Sequence, residues 1–253
     1  MRVTLLGTGT SQGVPVIACK CDVCKSNDLK DKRLRSAIMI EEGSTRIVVD
    51  AGPDFRQQML RHEVSHLDAI LLTHEHADHI FGLDDIRSFN WLSKSPTDVY
   101  CEQRVQKNLR SIFNYAFDLN KYPGTPQMDL IDLENKEFSI GPIPVIPIRV
   151  YHYKLPVYGF RFGRFAYLTD FNTIENKEVE KLKGVDTLVI CALRKLIHIS
   201  HLNLSGALEL IARIVPRKAY FTHMSHEMGK HKDLLAELPP NIEPGYDGLI
   251  LEM

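Results

Sequence analysis

The chain carries almost no excess charge, with 31 Lys and Arg against 32 Asp and Glu. A protein that binds nucleic acid mainly by charge has a marked basic surplus, so that role is not favoured. No apolar run approaches the ~20 residues needed to cross a bilayer. The opening Met1-Arg2-Val3-Thr4-Leu5-Leu6-Gly7 is too short for a signal-peptide core and reads as a first strand. Without an export signal the expected location is a reducing cytoplasm, where the five cysteines are thiols or metal ligands rather than disulfides. No linker, low-complexity block or internal repeat breaks the sequence, so residues 1–253 read as one domain. A chain of this length buries enough surface to fold without a disulfide staple.

One local surplus exists. Residues 20–35 hold Lys20, Lys25, Lys30, Lys32, Arg33 and Arg35 against Asp22, Asp28 and Asp31. A solvated charged face is the plain reading; a patch that draws in an anionic substrate is the sharper one. Strand patterns run over Val3–Gly7, Ala37–Glu41, Thr45–Asp50 and Ala69–Thr73, and later over Ile143–Tyr151, Tyr158–Phe162, Arg164–Asp170, Thr187–Cys191, Lys218–Thr222 and Gly248–Glu252. Helical spacing marks Pro53 to Glu63 and a segment opened by Asn203-Leu204-Ser205-Gly206. Antiparallel runs first, then alternation with helices, suggest an α/β (α+β) protein with two sheets face to face and helices outside.

Chemistry concentrates in Thr73-His74-Glu75-His76-Ala77-Asp78-His79, directly after an apolar strand. Imidazole and carboxylate suit zinc, manganese, iron and nickel. His74 and His76, two apart on extended backbone, point the same way and can share an ion; Asp78 and His79 can reach a second. Four ligands cannot close two sites. His152, Asp170 and His223 each follow a strand-like segment, where binding groups gather at sheet ends.

These seven residues, in this order, resemble the metallo-β-lactamase superfamily. The resemblance implies an αββα four-layer sandwich with two metals at one edge. It assigns His74, His76 and His152 to one ion, Asp78, His79 and His223 to the other, and Asp170 as the bridge.

A second cluster, Cys19-Lys20-Cys21-Asp22-Val23-Cys24, packs three thiols into six residues. Structural zinc needs four ligands. His226, three residues beyond His223, is the best fourth, and His231 the fallback. A redox Cys-x-x-Cys is the rival, but the thioredoxin-like context is absent. Cys101 and Cys191 are lone and read as small core hydrophobes. The knuckle, an insertion at about residues 18–35, together with the seven ligands and Asp50-Ala51-Gly52-Pro53-Asp54-Phe55-Arg56, is similar to the PhnP-like cyclic-phosphate phosphodiesterases. A weaker likeness links the chain to the pyrroloquinoline-quinone synthesis protein and to the tRNA 3′-end endonuclease. Tyr153 stands after His152 where a small residue is expected.

The resemblance implies manganese or zinc in the active site, zinc in the knuckle and a homodimer. It also implies hydrolysis of a small, cyclic or nucleotide-like phosphodiester by a hydroxide held between the ions. His201 takes the place of the family's catalytic histidine, as general acid, and Asp78 is counted with it among the catalytic residues. His198, among apolar neighbours, reads as structural. Three other activities remain open. The tRNA endonuclease carries a long substrate-gripping arm that this chain lacks. A β-lactamase is generally exported. A thioester hydrolase would use the same metal shell. From a different class, the metals could merely hold together a non-catalytic binding module.

Overall fold

The computed structural model describes all 253 residues. Its strands form two mixed sheets built on one plan, an antiparallel hairpin extended by parallel strands. In the first sheet, Arg2–Gly7 pairs antiparallel with Ile250–Glu252 and Ala37–Glu42, and the latter with Thr45–Val49. Ala69–Leu71, Thr97–Cys101 and Met128–Asp132 continue it in parallel. In the second, Ile143–His152, Leu155–Phe162 and Phe165–Leu168 form an antiparallel meander. Thr187–Cys191, Lys218–Thr222 and Ile242–Pro244 then add in parallel.

Alternation of side chains along a strand gives each sheet two faces, and all four are covered. Val3, Leu5, Ile38, Ile40 and Val49 of the first sheet meet Tyr158, Phe160, Phe162, Phe165 and Tyr167 of the second. The outer face of the first sheet, with Met39, Val48, Ile70 and Val99, is capped by Phe55, Phe89, Val105 and Leu109. These belong to helices Phe55–Arg61, Arg87–Ser93 and Gln103–Ile112. Ile148, Val150, Leu168 and Ile190 on the other outer face bury Leu210, Ile211 and Ile214 of helix Leu204–Ile214. The result is the expected αββα sandwich, with helices in the outer layers and aromatic rings between the sheets.

Strands Thr187–Cys191 and Lys218–Thr222 coincide with the sequence pattern, and other elements shift by a few residues. The segment from Ala77 to Asp132 shows no plain strand or helix pattern in its sequence, yet holds four helices and two strands. Helix Gln103–Ile112 shows why: only Val105 and Leu109 are buried, a stripe too narrow to stand out. Cys101 and Cys191 lie in the core, as their isolation implied.

Candidate metal centre

The proposed ligands come from carboxyl ends of strands, where open sheets place their binding groups. The His74–His79 run leaves strand Ala69–Leu71, Asp170 follows Phe165–Leu168, His223 follows Lys218–Thr222, and His152 ends its own strand. The fold brings these loops to one edge. A cavity of about 800 Å³ opens at the other edge, beside Lys218, where the strand that leads to His223 begins.

Two ligand groups form, and Asp170 belongs to both. In one, His74 Nε2 stands 2.9 Å from His76 Nδ1 and 3.7 Å from Asp170 Oδ2. In the other, His79 Nε2 lies 3.1 Å from Asp170 Oδ2 and 3.2 Å from Asp78 Oδ2. His223 Nε2 lies 2.9 Å from Asp170 Oδ1 and 3.7 Å from Asp78 Oδ2. Donors around a tetrahedral ion with bonds of ~2.0–2.1 Å sit roughly 3.3 Å apart, so these spacings fit. His152 stands beside the first group rather than inside it, its ring 5.2 Å from that of His76 and 6.0 Å from that of His74. Its Nδ1 faces the Ser200 carbonyl at 2.8 Å, which leaves Nε2 free to ligate. Tyr153 sits at φ 58°, the left-handed region that explains why a small residue was expected there.

His223 Nδ1 is buried with no hydrogen-bond partner, and Nε2 meets only the Asp170 and Asp78 carboxylates. Leaving buried polar atoms unsatisfied is costly, and coordination removes the cost. Burial alone would raise the Asp170 carboxyl, but His223 and His79 outweigh it and hold the group well below the usual carboxylate range. Burial opposes protonation of His223, yet Asp170 lifts it to about 9. The site therefore stores protons that a metal would displace.

In the sequence Asp50 stands out only as part of a motif. The structure makes it the buttress of the second group. It accepts from Thr73 N–H at 2.9 Å and from the Thr73 hydroxyl, and faces His79 Nδ1 at 2.7 Å. Such a contact orients a ligating imidazole and fixes its tautomer. Asp50, Asp170 and His223 all have positive φ (67°, 50° and 53°), the strain that functional sites tolerate. Gly52 lets its loop meet the metal loop: a Cβ there would lie 1.9 Å from the Asp78 carbonyl oxygen.

His201 flanks the centre, its ring 4.4 Å from that of His152 and stacked 5.0 Å from that of His223. Its buried Nδ1 has no partner. Burial, then His223, pushes this imidazole down to about 3, so it is neutral unless an anion faces it. His198 lies 5.1 Å from His201 and its Nδ1 accepts from Ser200 N–H at 3.3 Å; it is not packed into the core.

The thiol cluster converges on His226, not His231. Its Nδ1 lies 3.3, 3.4 and 3.5 Å from the sulfurs of Cys19, Cys21 and Cys24. Zinc bonds of ~2.3 Å to sulfur and ~2.1 Å to nitrogen put tetrahedral donors roughly 3.6 Å apart, so the set fits zinc. His231 instead packs edge-on against Tyr246.

The basic stretch at 20–35 divides: Lys20, Lys25 and Lys30 are exposed, as a solvated face requires, and the other three cations turn inward. Arg33 is buried, donating to the Thr8 hydroxyl at 2.8 Å and to the Gly245 carbonyl. Arg35 pairs with Asp54 at 2.9 Å, and Lys32 donates to the Cys24 carbonyl at 3.3 Å. Arg33 and Arg35 thus fasten the knuckle to the body, and only the exposed lysines form a solvated face.

The beta-lactamase superfamily domain matches residues 45–224. A Porphyromonas gingivalis protein named octanoyltransferase is 42% identical over 98% of this chain. The chain spans only 51% of that relative's length. A crystal structure of a diphosphatase from the PhnP family is 36% identical and superposes with a TM-score of 0.93, covering 100% of this chain and 97% of that one. The zinc-bound PqqB of Methylobacterium extorquens shares the fold, at 19% identity and a TM-score of 0.80, covering 100% of both chains. With its paired His and Asp groups at the strand ends and its thiol knuckle, the chain belongs to the metallo-β-lactamase superfamily and is PhnP-like within it.

Proposed function

We propose that the protein hydrolyses a small phosphodiester, cyclic or nucleotide-derived, at this centre. The observation that carries the reading is Asp170, one carboxylate common to two ligand groups. The likeness to a PhnP-family diphosphatase, whose reaction is also at phosphorus, supports it. His74, His76 and His152 would hold one ion, Asp78, His79 and His223 the other, with Asp170 between them. Two divalent ions placed there would supply Lewis acidity and a nucleophile at neutral pH. Manganese or zinc suits the shell.

The chain's own residues position and protonate. Asp78 and Asp170 carry the negative charge that balances the cations, and Asp50 keeps the His79 ring in place. His201 donates a proton to the leaving oxygen. A substrate phosphate brings the negative charge that raises its pKa from the low value of the free protein. His201→Ala should lower phosphodiester turnover by ~10²–10⁴-fold with bound metal unchanged. Parallel loss of metal would make His201 a ligand or a folding residue.

A second reading, thioester hydrolysis, draws on the relative named octanoyltransferase. A panel of bis(p-nitrophenyl) phosphate, a cyclic ribose phosphate, a nucleoside diphosphate ester, an octanoyl thioester and a β-lactam, with manganese or zinc added, separates the readings. Preference for the thioester would overturn the phosphodiester proposal. Inactivity on the whole panel with both ions bound would favour a binding module. The same proposal includes a homodimer, checked by sedimentation. No helix is long and apolar enough to cross a membrane.

A further inference from the structure

The first ion would draw its ligands from both sheets, His74 and His76 from the loop after Ala69–Leu71 and His152 from the edge of the second sheet. Nothing in the ligand chemistry itself holds those two loops at one separation. Arg104, in the first turn of helix Gln103–Ile112, spans them. One guanidinium nitrogen pairs with Glu75, the residue between His74 and His76. The other donates to the Pro156 carbonyl at 2.7 Å, four residues beyond His152.

The brace is anchored further back. Glu102, beside Arg104, takes a two-pronged ion pair from Arg149, three residues before His152 on the same strand. The Arg149 guanidinium lies 3.7 Å over the Tyr158 ring. Tyr158 N–H in turn donates to the Thr73 carbonyl at 3.1 Å, next to His74. Glu75, Glu102 and Arg149 side chains are at most 20% exposed, and Arg104 is 33% exposed. These contacts are therefore less screened than surface ion pairs, and a planar fork holds direction as well as charge.

We infer that Arg104 is a positioning residue that sets the gap between the His74/His76 loop and the His152 hairpin, and so selectively controls the first metal site. Groups that orient metal ligands typically change affinity 10–100-fold when lost. The second group, from Asp78, His79 and His223, makes no direct hydrogen bond or ion pair with Arg104, Glu75, Glu102 or Arg149; its link to the brace runs through Thr73 and Asp50.

The test is titration of the metal-free full chain with Co²⁺ alone, read by absorption. Thiolate charge-transfer bands report the knuckle, and ligand-field bands report the His and Asp sites. Arg104→Ala should weaken one of the two His/Asp sites by ~10–100-fold, matching the site lost in His152→Ala and not the one lost in His223→Ala. Arg104→Lys should recover only part, since an ammonium cannot match the fork. Glu75→Gln, which keeps shape and loses charge, should repeat the Arg104→Ala pattern if that variant does not fold. Equal weakening of both sites and the knuckle, or unchanged affinity at all three, would overturn the inference. The inference rests on the metal pair alone. Co²⁺ affinity needs no substrate, so failure of the phosphodiester reading would leave this result standing.

Discussion

Asp170 bears the most at the level of single residues. Its two oxygens face His79 and His74 on one side and His223 on the other. Asp170→Ala should lose at least one of two bound ions, counted by elemental analysis; retention of both would remove the bridge. Asp50→Asn keeps the shape of the buttress but turns a donor toward Thr73 N–H or the His79 ring. Affinity at the second site should fall ~10–100-fold in a metal titration. The seven candidate ligands were legible because metal chemistry accepts few side chains and the fold presents them at strand ends. Asp50 was less so. A carboxylate at the end of a strand looks the same whether it caps a turn or supports a histidine, and only Thr73 and His79 around it decide.

At the scale of elements, two joints carry predictions. The loop after strand Thr45–Val49 packs backbone to backbone on the metal loop, with Ala51 N–H donating to the His79 carbonyl at 2.7 Å and Gly82 N–H to the Ala51 carbonyl at 2.8 Å. Gly52→Ala puts a methyl group into the Asp78 carbonyl. Overpacking of this kind costs ~1–3 kcal/mol, and both melting temperature and second-site metal affinity should fall. Loss of neither would show that the loop has room to move. Helix Leu204–Ile214 begins at Asn203, whose side chain accepts from Gly206 N–H. Asn203→Ala should cost about 1 kcal/mol and lower the melting temperature by roughly 2–4 °C. That helix start was readable, as a cap residue before an apolar stripe. The helices between Ala77 and Ile112 were not, because they bury narrow faces against a sheet whose strands lie far apart in sequence.

For the whole molecule, pH is the informative variable. His231 is 5% exposed, and burial, then Arg33 and Lys30, push its imidazole from 6.5 to about 4. The unfolded chain therefore binds a proton that the folded chain refuses. The stability contribution is complete above pH 6.5 and is lost as pH falls through about 4. Metal release also weakens the protein in acid, so the comparison must be between variants. His231→Phe, which keeps the edge-on packing on Tyr246, should flatten the decline over this window in urea titrations. An unchanged slope would mean that His231 protonates freely in the native state.

The residues able to hold metal, their order along the chain and the broad layering of strands and helices follow from the sequence itself. Ligand chemistry is local, and the periods of strands and helices are written in short segments. Tertiary structure alone decided that His226 rather than His231 faces the three thiols, that Arg33 is buried while Lys20, Lys25 and Lys30 stay in solvent, and that His152 stands slightly apart from His74 and His76. Each of those outcomes depends on which distant loops meet, and that is settled by how two sheets pack, through contacts such as Cys19 with His226 and Arg33 with Gly245 between opposite ends of the chain.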